Sequence, residues 1–303
     1  MTELFNEYWR KKKPFVFIID FELKKPKIWP LPSNEILFEF NSKGNNKPIE
    51  LATEPIPFDT YKTKFDVVMD HLLYGDSFIT NLTIKTKINL NVSLRDVFYA
   101  CSARYKILTD NFLCFSPETF IRIEDNVIST YPMKGTIDAS IPNAEAKILS
   151  DQKELAEHVT IVDLLRNDLS MIADNVPRYK ISLRRTSQKL IASELGDQRK
   201  VVAIIRTRSG WLPVITIARR LYQRRPKRKT IEVIRQAEGE ERGYYTGICG
   251  YFDGHTLDSG VMIRFIEQTN SDLYYRSGGG ITTQSDVSLE YQEALDKIYV
   301  PTN

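Results

Sequence analysis

Ser77-Phe-Ile-Thr-Asn-Leu-Thr-Ile-Lys-Thr-Lys-Ile-Asn-Leu90 alternates with a period of two. Phe78, Thr80, Leu82, Ile84 and Thr86 share one face, and Thr83, Lys85 and Lys87 share the other, as in a strand with one side buried. Upstream, a helix is expected from about Thr60 to Tyr74, preceded by strand-like ILFEFNS at 36–42 and a Pro-rich connection through Pro26, Pro30 and Pro32. Before that lies PFVFIIDFE at 14–22, an apolar run rich in Phe, Ile and Val that reads as a buried strand. Downstream, SLRDVFYACSARY at 93–105 reads as a helix. Short strands follow around NFLCFS, TFIRIED and NVISTYP, divided by Pro117 and an Asp125-Asn126 turn. The clearest helix runs from about Asn143 to Ala173, with Leu155, Val159, Val162, Leu165 and Leu169 near helical spacing. Strands are expected again at YYTGICGYF, GVMIRFIEQ and DLYYRSGG, then a last helix from about Val287 to Tyr299, opened by Ser285 and Asp286. Strands and helices mix without a βαβ rhythm, so the fold class is α+β rather than a doubly wound parallel sheet.

A chain of 303 residues can bury a substantial core, as two lobes or as one large layered domain. No internal repeat or low-complexity linker divides it. Its three cysteines, Cys101, Cys114 and Cys249, are far apart and form no CxxC pair, which argues against a disulfide framework or a zinc site. The N-terminus lacks an apolar signal segment and no apolar run reaches the ~18 residues of a membrane span. The expectation is a soluble, cytoplasmic protein. The formal charge of +3 is unevenly spread: no acidic residue lies between Asp197 and Glu232, where eleven Lys or Arg occur. Removing those eleven from 42 basic residues leaves 31 against 39 acidic ones, so one stretch makes the chain look basic. That stretch contains only Trp211 and Tyr222 as aromatics, too few platforms for nucleic-acid binding.

Three features are candidates for chemistry. ELAEH sets Glu154 and Glu157 on one helix face beside His158, and LEYQEALDK does the same for Glu290 and Glu293. Either pair alone is an ordinary solvated face, and Glu293 has an i,i+4 partner in Lys297. Two such helices converging would offer a hard cation such as Mg2+ the oxygen ligands it prefers. The third feature is SGGGITTQSD, where Gly278, Gly279 and Gly280 are expected between strand and helix, with backbone amides free for an anion.

FSPETF, YPMKGT, ELAEHVTIVDLLRNDLS, YYTGICGYFDG, VMIRFIE, SGGGITTQSD and LEYQEALDK, in this order and spacing, resemble the chorismate-utilising enzymes, a family that includes anthranilate, aminodeoxychorismate and isochorismate synthases. The resemblance covers nearly the whole chain, including GDSFITNLT at 75–83. It implies a single chorismate-binding domain over 1–303, with 1–70 a shortened variable part and 71–303 the catalytic core. It also implies an anthranilate-synthase-like layered fold, in which two large, mainly antiparallel sheets pack together and are flanked by helices. The lysine of PMKGT, Lys134, resembles the branch that aminates chorismate toward folate; anthranilate synthases carry a small residue there. On this resemblance Lys134 is the nucleophile and Glu118 the general acid. Glu157 and Glu293, supported by Glu154 and Glu290, hold Mg2+. Arg264 and the amides of Gly278, Gly279 and Gly280 anchor the enolpyruvyl carboxylate, and Tyr245 and Thr246 line the pocket. Ammonia is expected from a separate glutamine amidotransferase subunit, since no cysteine here sits in a glutaminase context. An anthranilate- or isochorismate-forming relative, and a catalytically impaired homologue that still binds chorismate or docks an amidotransferase, are the alternatives.

One segment departs from the family. Relatives carry a loop resembling PAGSISGAPK before the TIEVIRQAE helix, where this chain has ARRLYQRRPK at 218–227. Reading Ala218 to Arg225 one nucleotide later, with permissible codons, gives Pro-Ala-Gly-Ser-Ile-Ser-Gly-Ala, after which Pro226 and Lys227 continue in frame. Residues of about 200–225 are therefore read as a frameshifted stretch, and the arginine surplus fits out-of-phase glycine and alanine codons.

Overall fold

The computed structural model describes residues 2–131, 133–138, 167, 169–170, 173–174, 180–186, 194–205 and 227–302. In chain order the elements are α1 (Thr2–Arg10), β1 (Phe15–Ile19), β2 (Lys27–Pro30), β3 (Leu37–Ser42), β4 (Leu51–Glu54), α2 (Phe58–Tyr74), β5 (Thr80–Leu90), α3 (Leu94–Ala100), β6 (Ala103–Leu108), β7 (Phe112–Ser116), β8 (Thr119–Glu124) and β9 (Val127–Thr130). They continue through β10 (Met133–Asp138), β11 (Ala173–Asp174), β12 (Lys180–Thr186), β13 (Glu194–Ile205), α4 (Lys227–Glu238), β14 (Ile248–Phe252), β15 (Leu257–Val261), β16 (Phe265–Thr269), β17 (Asp272–Ile281) and α5 (Val287–Asp296). The strands form two antiparallel sheets, as expected. One follows the order β10-β13-β9-β8-β15-β14-β1-β2, with β11 and β12 also on β13; the other follows β3-β6-β7-β16-β17-β5-β4.

The apolar run of β1 explains how the layers meet. All five of its residues are buried. Phe15, Phe17 and Ile19 join a cluster with Phe5 of α1, while Val16 and Ile18 join one shared with Tyr105, Ile107 and Cys114 of the second sheet. A strand covered on both faces reads as a continuous hydrophobic run rather than an alternating one. On the far side of the second sheet, α2, α4 and α5 pack on β5 and β17 through Tyr61, Phe65, Leu82, Ile84, Val233 and Ala294. Among the described residues the layers run helix, sheet, sheet, helices. Cys101, Cys114 and Cys249 are all buried and free. Among the described residues no helix is long and apolar enough to cross a membrane.

Several boundaries differ from the sequence expectation, each for a local reason. Thr80, Leu82, Ile84 and Thr86 are buried as the alternation predicts, but Phe78 lies before β5 and is 84% exposed. The chain there turns, with the Ser77 hydroxyl donating to the Ile79 carbonyl. Thr83, assigned to the solvent face, is buried because Glu238 accepts its N–H and its hydroxyl. The helix at SLRDVFYACSARY has a Ser93 capping box and ends at Ala100; Cys101 turns to extended backbone, and Ala103–Leu108 is claimed as a strand by β3 and β7. GVMIRFIEQ is two strands, β15 and β16, separated by a bend at which Arg264 has φ 53. The last helix stops at Asp296 rather than Tyr299. The expected helix at 143–173 lies outside the described residues, apart from 167, 169, 170 and 173.

Candidate functional site

Helix α5 begins at Asp286, whose carboxylate accepts the Ser288 and Leu289 amides. This cap starts the helix at the register that places Glu290 and Glu293, three apart, on one face. That face lies over β17. A Cβ built on Gly279 would come within 3.0 Å of Glu290 Oε2 and 3.5 Å of Glu293 Oε1, so two carboxylates meet above a residue with no side chain. Glu290 is buried and its Oε1 accepts the Ser285 hydroxyl at 2.6 Å. Glu293 is more exposed, and Lys297 Nζ lies 2.6 Å from its Oε1 while also donating to the Gly278 carbonyl at 2.8 Å. Hard oxygen donors gathered over a space that a methyl group would fill are the donor set magnesium prefers. Tyr61 lies near them, its hydroxyl buried with no hydrogen-bond partner among the described residues. Burial raises the pKa of that phenol well above its usual value, and the charges of Glu290 and Glu293 add to the shift. Glu154 and Glu157, the other two expected ligands, lie outside the described residues. Among the described residues no group of three or more metal-ligating side chains occurs.

The glycines require a correction. Gly278, Gly279 and Gly280 are not a loop between strand and helix; they belong to β17 and pair with Thr83, Leu82 and Asn81 of β5. Within β17, β16 pairs with Asp272–Arg276, so among the described residues no strand lies beside that edge beyond Arg276. Antiparallel geometry turns alternate amides toward that open edge. Gly278 must be glycine because a Cβ there would stand 2.2 Å from the Leu82 carbonyl oxygen.

A second group forms around the bend between β15 and β16. Thr246 donates its N–H to the Met262 carbonyl, and Met262 returns one to the Gly247 carbonyl, each at 2.8 Å. Arg264 accepts at its carbonyl from the Phe115 amide, and its guanidinium lies 4.9 Å from the centroid of the Tyr299 ring. Its Nε is buried with no hydrogen-bond partner among the described residues, a donor that a bound anion would satisfy. Tyr245 is buried near Arg264, and burial pushes its phenol up to about 12 against the pull of Arg242 and Arg264. Glu118 sits in the two-residue turn between β7 and β8. Its amide donates to the Ser116 hydroxyl, and its carbonyl accepts Val261 N–H at 3.1 Å, which ties it to the same bend. The backbone of Lys134 lies in β10, opposite Asp197 of β13, next to an irregularity in the ladder.

Two residues not singled out in the sequence link these groups. Glu238 and Arg242 form a buried ion pair at i,i+4 spacing. Arg242 also donates to Thr246 Oγ1 at 3.2 Å and to the Asn81 carbonyl at 2.7 Å. Their spacing was visible in EGEER, but that run has the look of a solvated charged turn. A groove of about 750 Å³, lined by residues including Trp29, Phe112, Tyr244, Arg276 and Arg242 itself, contains none of the site residues expected from the sequence.

Comparison with known proteins agrees with this architecture. The family profile described as chorismate binding enzyme matches residues 33–303. The uncharacterized PabA-like protein of Haemophilus influenzae is 42% identical over 98% of this chain and 94% of its own length. Aminodeoxychorismate synthase component 1 of Bacillus subtilis is 29% identical over 84% of this chain, which spans 57% of that relative. Among solved structures, anthranilate synthase component I from Streptococcus pneumoniae superposes with a TM-score of 0.69 at 22% identity, covering 86% of this chain and 61% of the other. The menaquinone-specific isochorismate synthase of Escherichia coli gives 0.72 at 14% identity, over 98% and 79% of the two chains. At those identities the likeness is one of fold.

Proposed function

The chain belongs to the chorismate-binding enzyme family, and on that premise we propose that it is aminodeoxychorismate synthase component I, which converts chorismate and ammonia to 4-amino-4-deoxychorismate for folate synthesis. Binding of chorismate is supported by the arrangement of two carboxylates over Gly279 and the buried Arg264 Nε. The choice of product rests on one observation, the lysine of PMKGT at position 134.

Glu157 and Glu293, supported by Glu154 and Glu290, would hold magnesium, whose chemistry there is to polarise the ring carboxylate. Arg264 and the amides on the open edge of β17 receive the enolpyruvyl carboxylate. Neutral Lys134 adds through Nζ to ring carbon 2; the diene shifts, and the 4-hydroxyl leaves as water with a proton from Glu118. The Glu118 carboxylate takes the proton that the lysine nitrogen then gives up. Ammonia adds at carbon 4, the double bonds shift back, the lysine leaves carbon 2 with that proton returned from Glu118, and the new ammonium group gives a proton to Glu118, which restores the acid. For this, Lys134 must be neutral and Glu118 protonated at working pH, so a lysine near ~10.4 must come down and a glutamate near ~4.3 must go up. A glutamine amidotransferase subunit would supply the ammonia.

The test is product identity. The protein expressed from the resequenced gene, given chorismate, ammonium and magnesium, is expected to form 4-amino-4-deoxychorismate, and Lys134→Ala to abolish it. Anthranilate or isochorismate as the product, or full activity of the lysine variant, would overturn the reading. Residues 206–226 lie outside the described structure, and we propose that the sequence of about 200–225 is a frameshifted stretch. Resequencing the source DNA across codons 190–230 decides this: a frame giving PAGSISGAPK supports it, and the printed residues refute it and favour an impaired homologue.

A further inference from the structure

The two halves of the candidate site meet at one guanidinium. Arg242 and Glu238 are 2% and 1% exposed at their side chains. The Glu238 carboxylate is saturated: Oε1 accepts the Thr83 amide and hydroxyl, each at 2.8 Å, and Arg242 Nη2, while Oε2 accepts Arg242 Nε at 2.9 Å. Phe21 covers the guanidinium, its ring centroid 4.7 Å from Cζ. A buried ion pair is a poor way to gain stability, because apolar residues of similar volume do as well. What this pair offers is direction. The guanidinium is planar, and with Nε and Nη2 fixed on Glu238 the remaining donors point where the plane dictates.

Those donors reach both halves. Nη1 donates to Thr246 Oγ1. Thr246 has φ 57, a conformation a β-branched residue avoids, held on its other side by the Met262 carbonyl. Nη2 donates to the Asn81 carbonyl, and Asn81 Nδ2 donates at 3.1 Å to the carbonyl of Gly279, the residue under Glu290 and Glu293. One side chain therefore sets the spacing between the Thr246–Arg264 bend and the carboxylate cradle.

We propose that Glu238 and Arg242 are positioning residues for the chorismate site: Glu238 fixes the guanidinium, and Arg242 acts through Thr246 and Asn81. This rests on the proposed function, since it takes both halves to contact one substrate. The experiment is a double-mutant cycle on kcat/KM for chorismate with ammonium and magnesium, using Arg242→Lys, Thr246→Val and the double variant. Lysine keeps the charge beside Glu238 but not the planar fork. Each single change is expected to lower kcat/KM by about ten-fold or more, with the double variant within about three-fold of the worse single one. Arg242→Lys leaves buried acceptors on Glu238 and Asn81 short of donors, so its thermal midpoint is expected to fall by several degrees, and kcat/KM is read at a temperature well below the midpoint of every variant. A double loss equal to the product of the single losses, or wild-type kcat/KM in Arg242→Lys, overturns the proposal. If Arg242→Lys does not fold, Glu238→Gln, which keeps the shape and the Thr83 acceptor, replaces it in the same cycle under the same criteria. A wild-type protein expressed from the resequenced gene that turns over no chorismate counts against the proposed function instead; the cycle is then read on chorismate affinity in magnesium by calorimetry, and additivity there overturns the positioning role.

Discussion

Gly278 and Gly279 are adjacent in β17, but alanine at each would meet a different obstacle. At Gly278 it would collide with the backbone of β5, 2.2 Å from the Leu82 oxygen and 2.7 Å from Thr83 Cα. Backbone cannot swing aside, so Gly278→Ala is expected to cost about 1–3 kcal/mol, read as a lower urea midpoint. At Gly279 the methyl group would face Glu290 Oε2 at 3.0 Å, the end of a side chain that can give way. Gly279→Ala should leave the urea midpoint near wild type and raise the magnesium concentration for half-maximal turnover by about ten-fold or more. A Gly279 variant with unchanged magnesium dependence would show that the carboxylates above it are not metal ligands.

At the scale of elements, α5 is short and carries two of the expected ligands, so its start matters. Asp286→Ala removes the acceptor for the Ser288 and Leu289 amides. A loss of about 1 kcal/mol is expected in urea unfolding, and Asp286→Asn should recover most of it. This cap was legible in the sequence, as were α2, β1 and most of β5, because each carries its own period or terminal signal. The bend at Arg264 was not: VMIRF has the apolar content of one unbroken strand, and nothing local announces the positive φ that divides it. The triglycine run was misplaced for a related reason. Glycine commonly marks a loop, and here it marks the close approach of β5 on one side and Glu290 on the other, contacts that only tertiary packing creates. Among site residues, the Glu290–Glu293 face could be read from spacing. Glu238 and Arg242 could not, since their role depends on Thr83, Asn81 and Thr246, brought in from other elements.

For the whole molecule, buried phenols predict a response to alkali. Burial raises Tyr61, Tyr105, Tyr245 and Tyr275 above the usual tyrosine value, Tyr245 to about 12. The unfolded chain releases these protons near pH ~10 while the folded chain holds them, so above that pH the unfolded state binds fewer. The stability they contribute is complete below pH ~10 and is lost as pH rises toward the folded values, by at most ~1.4 kcal/mol per pH unit for each phenol. Urea midpoints should fall steeply between about pH 10 and 11.5, and Tyr275→Phe should shallow the slope; a flat profile would contradict it.

The same sheet order bears on synthesis. β1, apolar at every position, pairs with β14, Phe15 against Phe252. A ribosome adding about 5–20 residues per second needs roughly 10–50 seconds to make the chain between them. Through that interval this wholly apolar strand lacks the neighbour on one side of its ladder, and β2, its other neighbour, is only four residues long. The nascent chain must be shielded from other copies of itself until its last quarter emerges, which makes yield on expression sensitive to crowding of unfinished chains even when the finished fold is sound.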